Sequence, residues 1–196
     1  MKMLIASTNF GKIKEIKEIL QDFEIITLKE IKNTIEVIED QNTFLGNAKK
    51  KAKQIYEITK IPTLADDSGI CIKEFNGWPG VNTARFLGQD KSTNEYSRQR
   101  NEYILQKMKN IQKQNRKVDY ITVVVYYDGK KYLIGQGILS GYIANQYRGN
   151  NGFGFDEIFE LEDGRTLAEL TNKEKNVISS RKKALEELKI EFLNRI

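Results

Sequence analysis

The chain has 196 residues, enough for one sizeable core or one domain with two lobes, and too few for two independent domains. Hydrophobic residues make up 39% and charged residues 30%, which excludes a disordered chain, and no apolar run approaches the roughly 20 residues that span a bilayer. There is no histidine and one cysteine, Cys71, so imidazole catalysis, a zinc site and an internal disulfide are all excluded. A metal here must be a hard cation held by carboxylates. The single cysteine, with an opening MKMLIAS too short and polar for a signal peptide, points to the cytoplasm. A net charge of +5 suits a polyanionic partner such as a nucleotide or nucleic acid, and equally suits solubility alone.

Lys2 to Ala6 (KMLIA) reads as a buried first strand. The polar loop Ser7-Thr8-Asn9-Phe10-Gly11 leads into a helix with Ile13, Ile16, Ile19 and Leu20 on one face. Phe23 to Leu28 can be a second strand, and Ile35, Val37 and Glu39 alternate like strand positions within the ambiguous stretch 30–41. Thr43 is a good N-cap for a helix to about Lys60, stopped by Pro62. TLADDSGICIKEF reads as a strand, a turn and a continued strand, and NGWPG as a loop. Ser92 and Glu95 form a capping-box pattern for a helix to about Met108. Two β-branched and aromatic runs flank Asp128-Gly129, a dipeptide favoured in tight hairpins. The glycine-rich RGNNGFGF and a short strand ending near Phe159 follow. The last helix, from about Ser179 to Phe192, turns Ala184, Leu185, Leu188 and Phe192 to the core. Irregular alternation with one antiparallel hairpin predicts an α/β fold with a mixed sheet.

Five stretches could carry chemistry. STNFGK (Ser7 to Lys12) joins a strand to a helix N-terminus, where N–H groups and the helix dipole favour phosphate, though Asn and Gly in a turn need no ligand. On the helix from Thr43 the apolar face is Phe44, Ala48, Ala52, Ile55 and Thr59. Lys51 lies about 60° from its centre, whereas Lys49, Lys50 and Lys53 lie roughly 100° or more away. Its stem either snorkels or aims its charge at an anion. In ADDSG, Asp66 and Asp67 are costly to bury together, and a strand sends neighbours to opposite faces, so only a local turn lets both serve one site. They are either a strand end with a turn-forming acid or a Mg²⁺ ligand beside a general base. GFGFDEIF alternates glycine with Phe153 and Phe155, either as a packed bulge or as an aromatic face for a planar ligand with Asp156 at its edge. EKNVISSRKKAL caps a helix at Ser179 or Ser180, and its Arg181, Lys182 and Lys183 oppose the helix dipole unless a ligand offsets them.

Taken in order, ASTNFGKIKEI, TFLGNAKKKA, LADDSG, GWPGVNTARF, GFGFDEIF, TLAEL and EKNVISSRKKAL resemble the inosine triphosphate pyrophosphatase family, also called the Ham1-like family, over essentially the whole chain. The resemblance implies a single two-lobed α/β domain over residues 1–196, with a central mixed, twisted sheet flanked by helices and the active site between the lobes. It implies Mg²⁺-dependent cleavage of ITP, dITP and XTP between the α- and β-phosphates, a homodimer, and no nucleic-acid or membrane partner.

Carried over by motif, the resemblance makes Asp67 the catalytic acid and a metal ligand with Glu39, and Asp66 a supporting carboxylate. Ser7, Thr8, Asn9, Lys12, Lys51 and Ser68 would hold phosphate. Phe153 would stack on the base, with Gly154, Phe155, Asp156, Lys175, Ser180 and Arg181 lining its pocket and Arg181 reading the 6-keto oxygen. Two positions depart from the family pattern: Ser180 stands where a histidine is usual, and Glu157 where a proline is. The alternative readings are a nucleotide-binding regulator or degenerate member with altered base selectivity and, below it, a nucleic-acid module suggested only by the basic balance.

Overall fold

The structure is a computed structural model and describes residues 2–31, 35–88 and 94–193. Its elements in chain order begin with strand β1 (Lys2–Ile5), helix α1 (Phe10–Ile19), strand β2 (Glu24–Thr27), helix α2 (Phe44–Thr59) and strand β3 (Thr63–Ile72). Then come strand β4 (Trp78–Pro79), helix α3 (Asn94–Met108), strands β5 (Lys117–Tyr127), β6 (Tyr132–Ile143) and β7 (Phe159–Glu160), and helices α4 (Asn172–Ile178) and α5 (Ser180–Leu193). The expected α/β class with a mixed sheet is what forms. The strand order is β2-β1-β3-β5-β6-β7, with β4 beside β3. β1 pairs in parallel with β2 and β3, while β4 and β7 pair antiparallel with β3 and β6.

The chain divides into two compact units. Unit 1 comprises Met1–Ser68, Thr122–Gly137 and Ser180–Ile196, and unit 2 comprises Gly69–Ile121 and Ile138–Ser179. Unit 1 packs two apolar clusters. Met3, Ile5, Ile16, Leu20, Leu64, Val124, Leu185 and Leu188 form one, and Leu4, Ala48, Ala52, Ile55, Ala65, Val123 and Val125 the other. Adjacent residues of β1 thus enter different clusters, the period-two alternation of a strand buried on both faces. Unit 2 has its own core of Ile70, Ile72, Ile104, Met108, Phe155, Ile158 and Phe159.

The local signals act as their chemistry requires. Thr43 caps α2 by accepting from the Gly46 N–H, and Asn9 caps α1 by accepting from the Lys12 N–H. In the hairpin turn the Asp128 carboxylate accepts from the N–H groups of Lys130 and Lys131, and Gly129 takes φ +92°. α2 closes on Lys60 in the left-handed region, two residues before Pro62.

Four expectations differ. TLADDSGICI has no internal turn: Thr63–Ile72 is one continuous strand. Residues 35–41 form no strand: β2 ends the sheet, and Ile35 and Val37 pack as side chains on the second cluster of unit 1 instead. NGWPG is not wholly a loop, since Trp78 and Pro79 pair with Ile72 and Cys71. α4 was missed, although Thr171 and Glu174 form a reciprocal capping box that marks its start. The Ser92 cap lies outside the described residues.

α5 lies against β6 at two glycines. A Cβ at Gly135 would collide with the Ala184 carbonyl oxygen, and one at Gly137 with that of Ser180. Neither glycine has a positive φ, so close approach rather than backbone freedom selects them. Gly135→Ala is expected to destabilise the protein by about 1–3 kcal/mol, as overpacking does. Chemical denaturation measures it, and an unchanged midpoint would show that the helix gives way without cost.

Candidate active site

The site-bearing residues of unit 1 gather around the middle of β3. Because the strand is continuous, Asp66 and Ser68 share one face and Asp67 takes the other. All of the partners described next for these residues belong to unit 1.

On the first face, Asp66 Oδ2 meets Lys12 Nζ at 2.9 Å and an Arg181 guanidinium nitrogen at 3.1 Å. The same nitrogen donates to Ser68 Oγ at 3.2 Å. The other arm of Arg181 pairs with Glu15 of α1, and Arg181 and Glu15 are each 4% exposed. Burial pushes the Asp66 carboxyl up, but Lys12, Arg181 and Lys51 overcome it and hold it well below the usual carboxylate range. Lys12 is delivered by the loop: Ser7 Oγ accepts from the Asn9 N–H at 3.2 Å, and Asn9 in turn caps the helix that carries Lys12. Thr8 is exposed at the tip of that loop.

On the second face, Asp67 Oδ2 accepts from the Asn47 side-chain amide at 2.9 Å, and Oδ1 accepts from the Ser68 N–H at 3.0 Å. Lys51, one turn beyond Asn47 on α2, donates to Glu39 Oε1 and to the Asp66 carbonyl oxygen, each at 2.5 Å. Only Lys51 among the lysines of this helix is buried, at 8% exposed, and it is the one that the helical spacing set on the border of the apolar face. Burial pulls its pKa down, yet Asp67, Glu39 and Asp66 together raise it. Asp67 shifts the other way: burial, with the Glu39 charge adding to it, pushes its carboxyl up to about 6 despite Lys51. Asp67 is therefore a desolvated carboxylate poised near neutrality, while its neighbour Asp66 stays firmly ionised.

Asp67, Glu39 and Lys51 thus come together, and so do Lys12, Asp66, Ser68 and Arg181. Ser180 gives a different picture. It is 5% exposed and shares a 2.8 Å hydroxyl–hydroxyl hydrogen bond with Thr122. Sequence reasoning missed Glu15 and Asn47. Both are polar residues at buried positions of amphipathic helices, and that mismatch is the signal that could have found them.

Unit 2 assembles a second group. Asp156 Oδ2 meets Lys175 Nζ at 2.6 Å and accepts from the Phe153 N–H at 2.7 Å. Lys175 Nζ sits over the Phe153 ring, 4.3 Å from its centroid. A Cβ at Gly152, which has φ +81°, would strike the Asp156 carboxylate, so this turn needs glycine on both counts. Asn101 of α3 donates to the Gly154 carbonyl at 2.9 Å, and Phe155 is buried in the core. Phe153, Gly154, Phe155, Asp156 and Lys175 are therefore one local structure, tied together by α4.

Among the described residues, no three of His, Cys, Asp and Glu converge as a ready-made metal cage. Glu39 and Asp67 do offer hard oxygen donors, and their mutual repulsion raises the Asp67 pKa, a penalty that a divalent cation would relieve. Mg²⁺ is commonly held by one or two carboxylates plus substrate phosphates, so this pair fits it.

The pKa shifts set opposite pH dependences. The raised Asp67 pKa gives a stabilisation that is present below its ordinary 3.8 and lost as pH rises through about 6. The depressed Asp66 pKa gives one that is present above 3.8 and lost as pH falls. In metal-free buffer at pH 8, Asp67→Asn should therefore be more stable than wild type by about 1–3 kcal/mol, with the gap closing at pH 4. Urea denaturation at both pH values checks this, and an equal difference at the two would show that Asp67 carries no burial penalty.

The Ham1 family model matches residues 3–191. A dITP/XTP pyrophosphatase of Aquifex aeolicus (strain VF5) is 41% identical over 192 residues, covering 96% of this chain and 95% of that protein. A dITP/XTP pyrophosphatase of Clostridium perfringens (strain 13 / Type A) is 40% identical over 198 residues, again covering 96% and 95%. The solved structure of the Staphylococcus aureus Ham1 protein matches with a TM-score of 0.85 at 31% identity over 100% of both chains. The resemblance read from seven ordered motifs thus holds along nearly the whole sequence, and this chain belongs to the Ham1 family.

Proposed function

We propose that the protein is a nucleoside triphosphate pyrophosphatase acting on deaminated purine nucleotides such as dITP, XTP and ITP, breaking the anhydride between the α- and β-phosphates to release a monophosphate and pyrophosphate. The observation that carries this reading is Asp67: a buried carboxylate pushed up to about 6, oriented at both oxygens, beside Glu39 and a buried lysine. A general base works best with a pKa near the operating pH, and with no histidine in the chain a desolvated carboxylate is the means at hand.

Asp67 takes the proton of the attacking water. Lys12 and Lys51, with the N–H groups at the start of α1 and the hydroxyls of Ser7, Thr8 and Ser68, neutralise the triphosphate and the departing pyrophosphate. Asn9 holds the turn that brings Lys12 there. Asp66 keeps Lys12 and Arg181 in place from its own face of the strand and supports the metal site through that ordering. Glu39 and Asp67 would hold Mg²⁺, which when bound supplies Lewis-acid stabilisation of charge on the phosphate oxygens.

Within unit 2 the base is assigned to Phe153, Gly154, Phe155, Asp156 and Lys175; for Ser180 and Arg181 a role at the base rests on the family motif alone. Lys175 can only donate, so it favours a keto oxygen over the amino group of adenine. Its place over the Phe153 ring means that a stacking base must share or displace that contact. Arg181 is paired with Glu15 and Asp66, so a keto oxygen must compete with two carboxylates for it. We further propose that the protein works as a homodimer in the cytoplasm, and among the described residues no helix is long and apolar enough to cross a membrane.

A panel of ITP, dITP, XTP, GTP and ATP with Mg²⁺, read by pyrophosphate release, tests the reading. Deaminated substrates should be turned over at least tenfold more efficiently than ATP. Asp67→Asn and removal of divalent cations should each abolish turnover. A folded protein that releases no pyrophosphate from any of the five would end this reading.

A further inference from the structure

Asn47 stands where α2 should be apolar. Its buried companions on that helix, Ala48, Ala52 and Ile55, complete the core of unit 1, and Asn47 itself is 0% exposed. An amide taken out of water costs free energy unless both ends are paired, and asparagine is a poorer helix former than alanine. Neither packing nor helix propensity explains it.

Its partners do. The Asn47 Oδ1 atom accepts from the main-chain N–H of Gln41 at 2.9 Å, and its Nδ2 donates to Asp67 Oδ2 at 2.9 Å. The orientation of the amide is unambiguous, because a main-chain N–H only donates and a carboxylate only accepts. Gln41 lies two residues after Glu39, and Asp67 is the carboxylate opposite. One side chain therefore ties the segment carrying Glu39 to the strand carrying Asp67. Lys51, at i+4 on the same helix face, makes a parallel tie between Glu39 and the Asp66 carbonyl. With the Ser68 N–H on the other oxygen, Asn47 leaves the Asp67 carboxylate no rotational choice.

We infer that Asn47 is a positioning residue for the hydrolysis: with its two amide ends it sets the orientation of the Asp67 carboxylate and its spacing from Glu39. It acts through these two acids. The inference rests on the assignment of Asp67 to the reaction. Partners of this kind, one step removed from the reacting atoms, commonly carry about 10- to 100-fold in activity.

Asn47→Asp and Asn47→Ser separate the roles. Asn47→Asp keeps the shape and the acceptor for Gln41 but turns an acceptor towards Asp67. Asn47→Ser is too short to reach both partners. With ITP and Mg²⁺, kcat is expected to fall at least tenfold in both, KM to stay within about threefold, and the unfolding midpoint of at least one variant to stay within a few degrees of wild type. A kcat within twofold of wild type in either folded variant overturns the inference. So does loss of folded protein in both, or a change in KM alone, because these assign Asn47 to stability or to substrate binding. An active wild type beside fully active variants removes only the role of Asn47, whereas a wild type inert towards ITP removes the assignment of Asp67 on which it rests.

Discussion

Two neighbouring carboxylates buried in one strand cannot share a face, and each must find its own compensation. This constraint organises unit 1. Asp66 receives Lys12 and Arg181 on one side of β3, and Asp67 receives Asn47 on the other, with Lys51 and Glu39 acting on it electrostatically. The contrast in their ionisation follows directly. Where two cations make close contact, burial is overcome and the acid stays charged; where a neutral amide is the closest partner and another acid lies nearby, burial wins. One strand thus carries an acid suited to ordering cations and an acid suited to accepting a proton, separated by a single peptide unit.

The stability cost of this arrangement is local. Desolvating Asp67 works against folding at neutral pH, and the polar Asn47 occupies a site that an apolar residue would fill more cheaply. Strain on folding concentrated at reacting groups is common in active sites, because groups arranged for charge that develops during reaction are imperfectly compensated before it does. Unit 2 also pairs a buried carboxylate with a lysine. Asp156 Oδ2 takes both Lys175 and the Phe153 N–H, and the lysine rests on the aromatic ring, so the local structure is ordered by contacts among its own residues.

Much of the fold was legible because it depends on near neighbours in the chain. Thr43 and Asp128 act within four residues of themselves, and caps and turns follow from such local geometry. Periodicity on α2 separated Lys51 from its neighbouring lysines, because the direction of a side chain on a helix is set by its spacing alone. Other readings failed for lack of a local signal. An alternating pattern at 35–41 suggested a strand, but alternation predicts a face and does not supply a partner strand. A turn was expected inside TLADDSGICI, but the strand runs straight through and turns the two acids to opposite faces.

The sequence by itself determined the chemical vocabulary. Without histidine, and with one cysteine, a metal had to fall to carboxylates and a carboxylate became the favoured group to activate water, and the ordered motifs placed the chain in its family. It also marked the helices α1, α2 and α5 and the β5–β6 hairpin, since period, capping and turn chemistry are local properties. Only the tertiary structure decided which charges meet. Arg181 reaches Glu15 and Asp66 across more than a hundred residues of chain, Asn47 reaches Asp67, and Ser180 closes on Thr122. The physical reason is that the energy of a buried charge or amide depends on what lies within hydrogen-bond reach, and that distance is created by packing rather than by position along the chain.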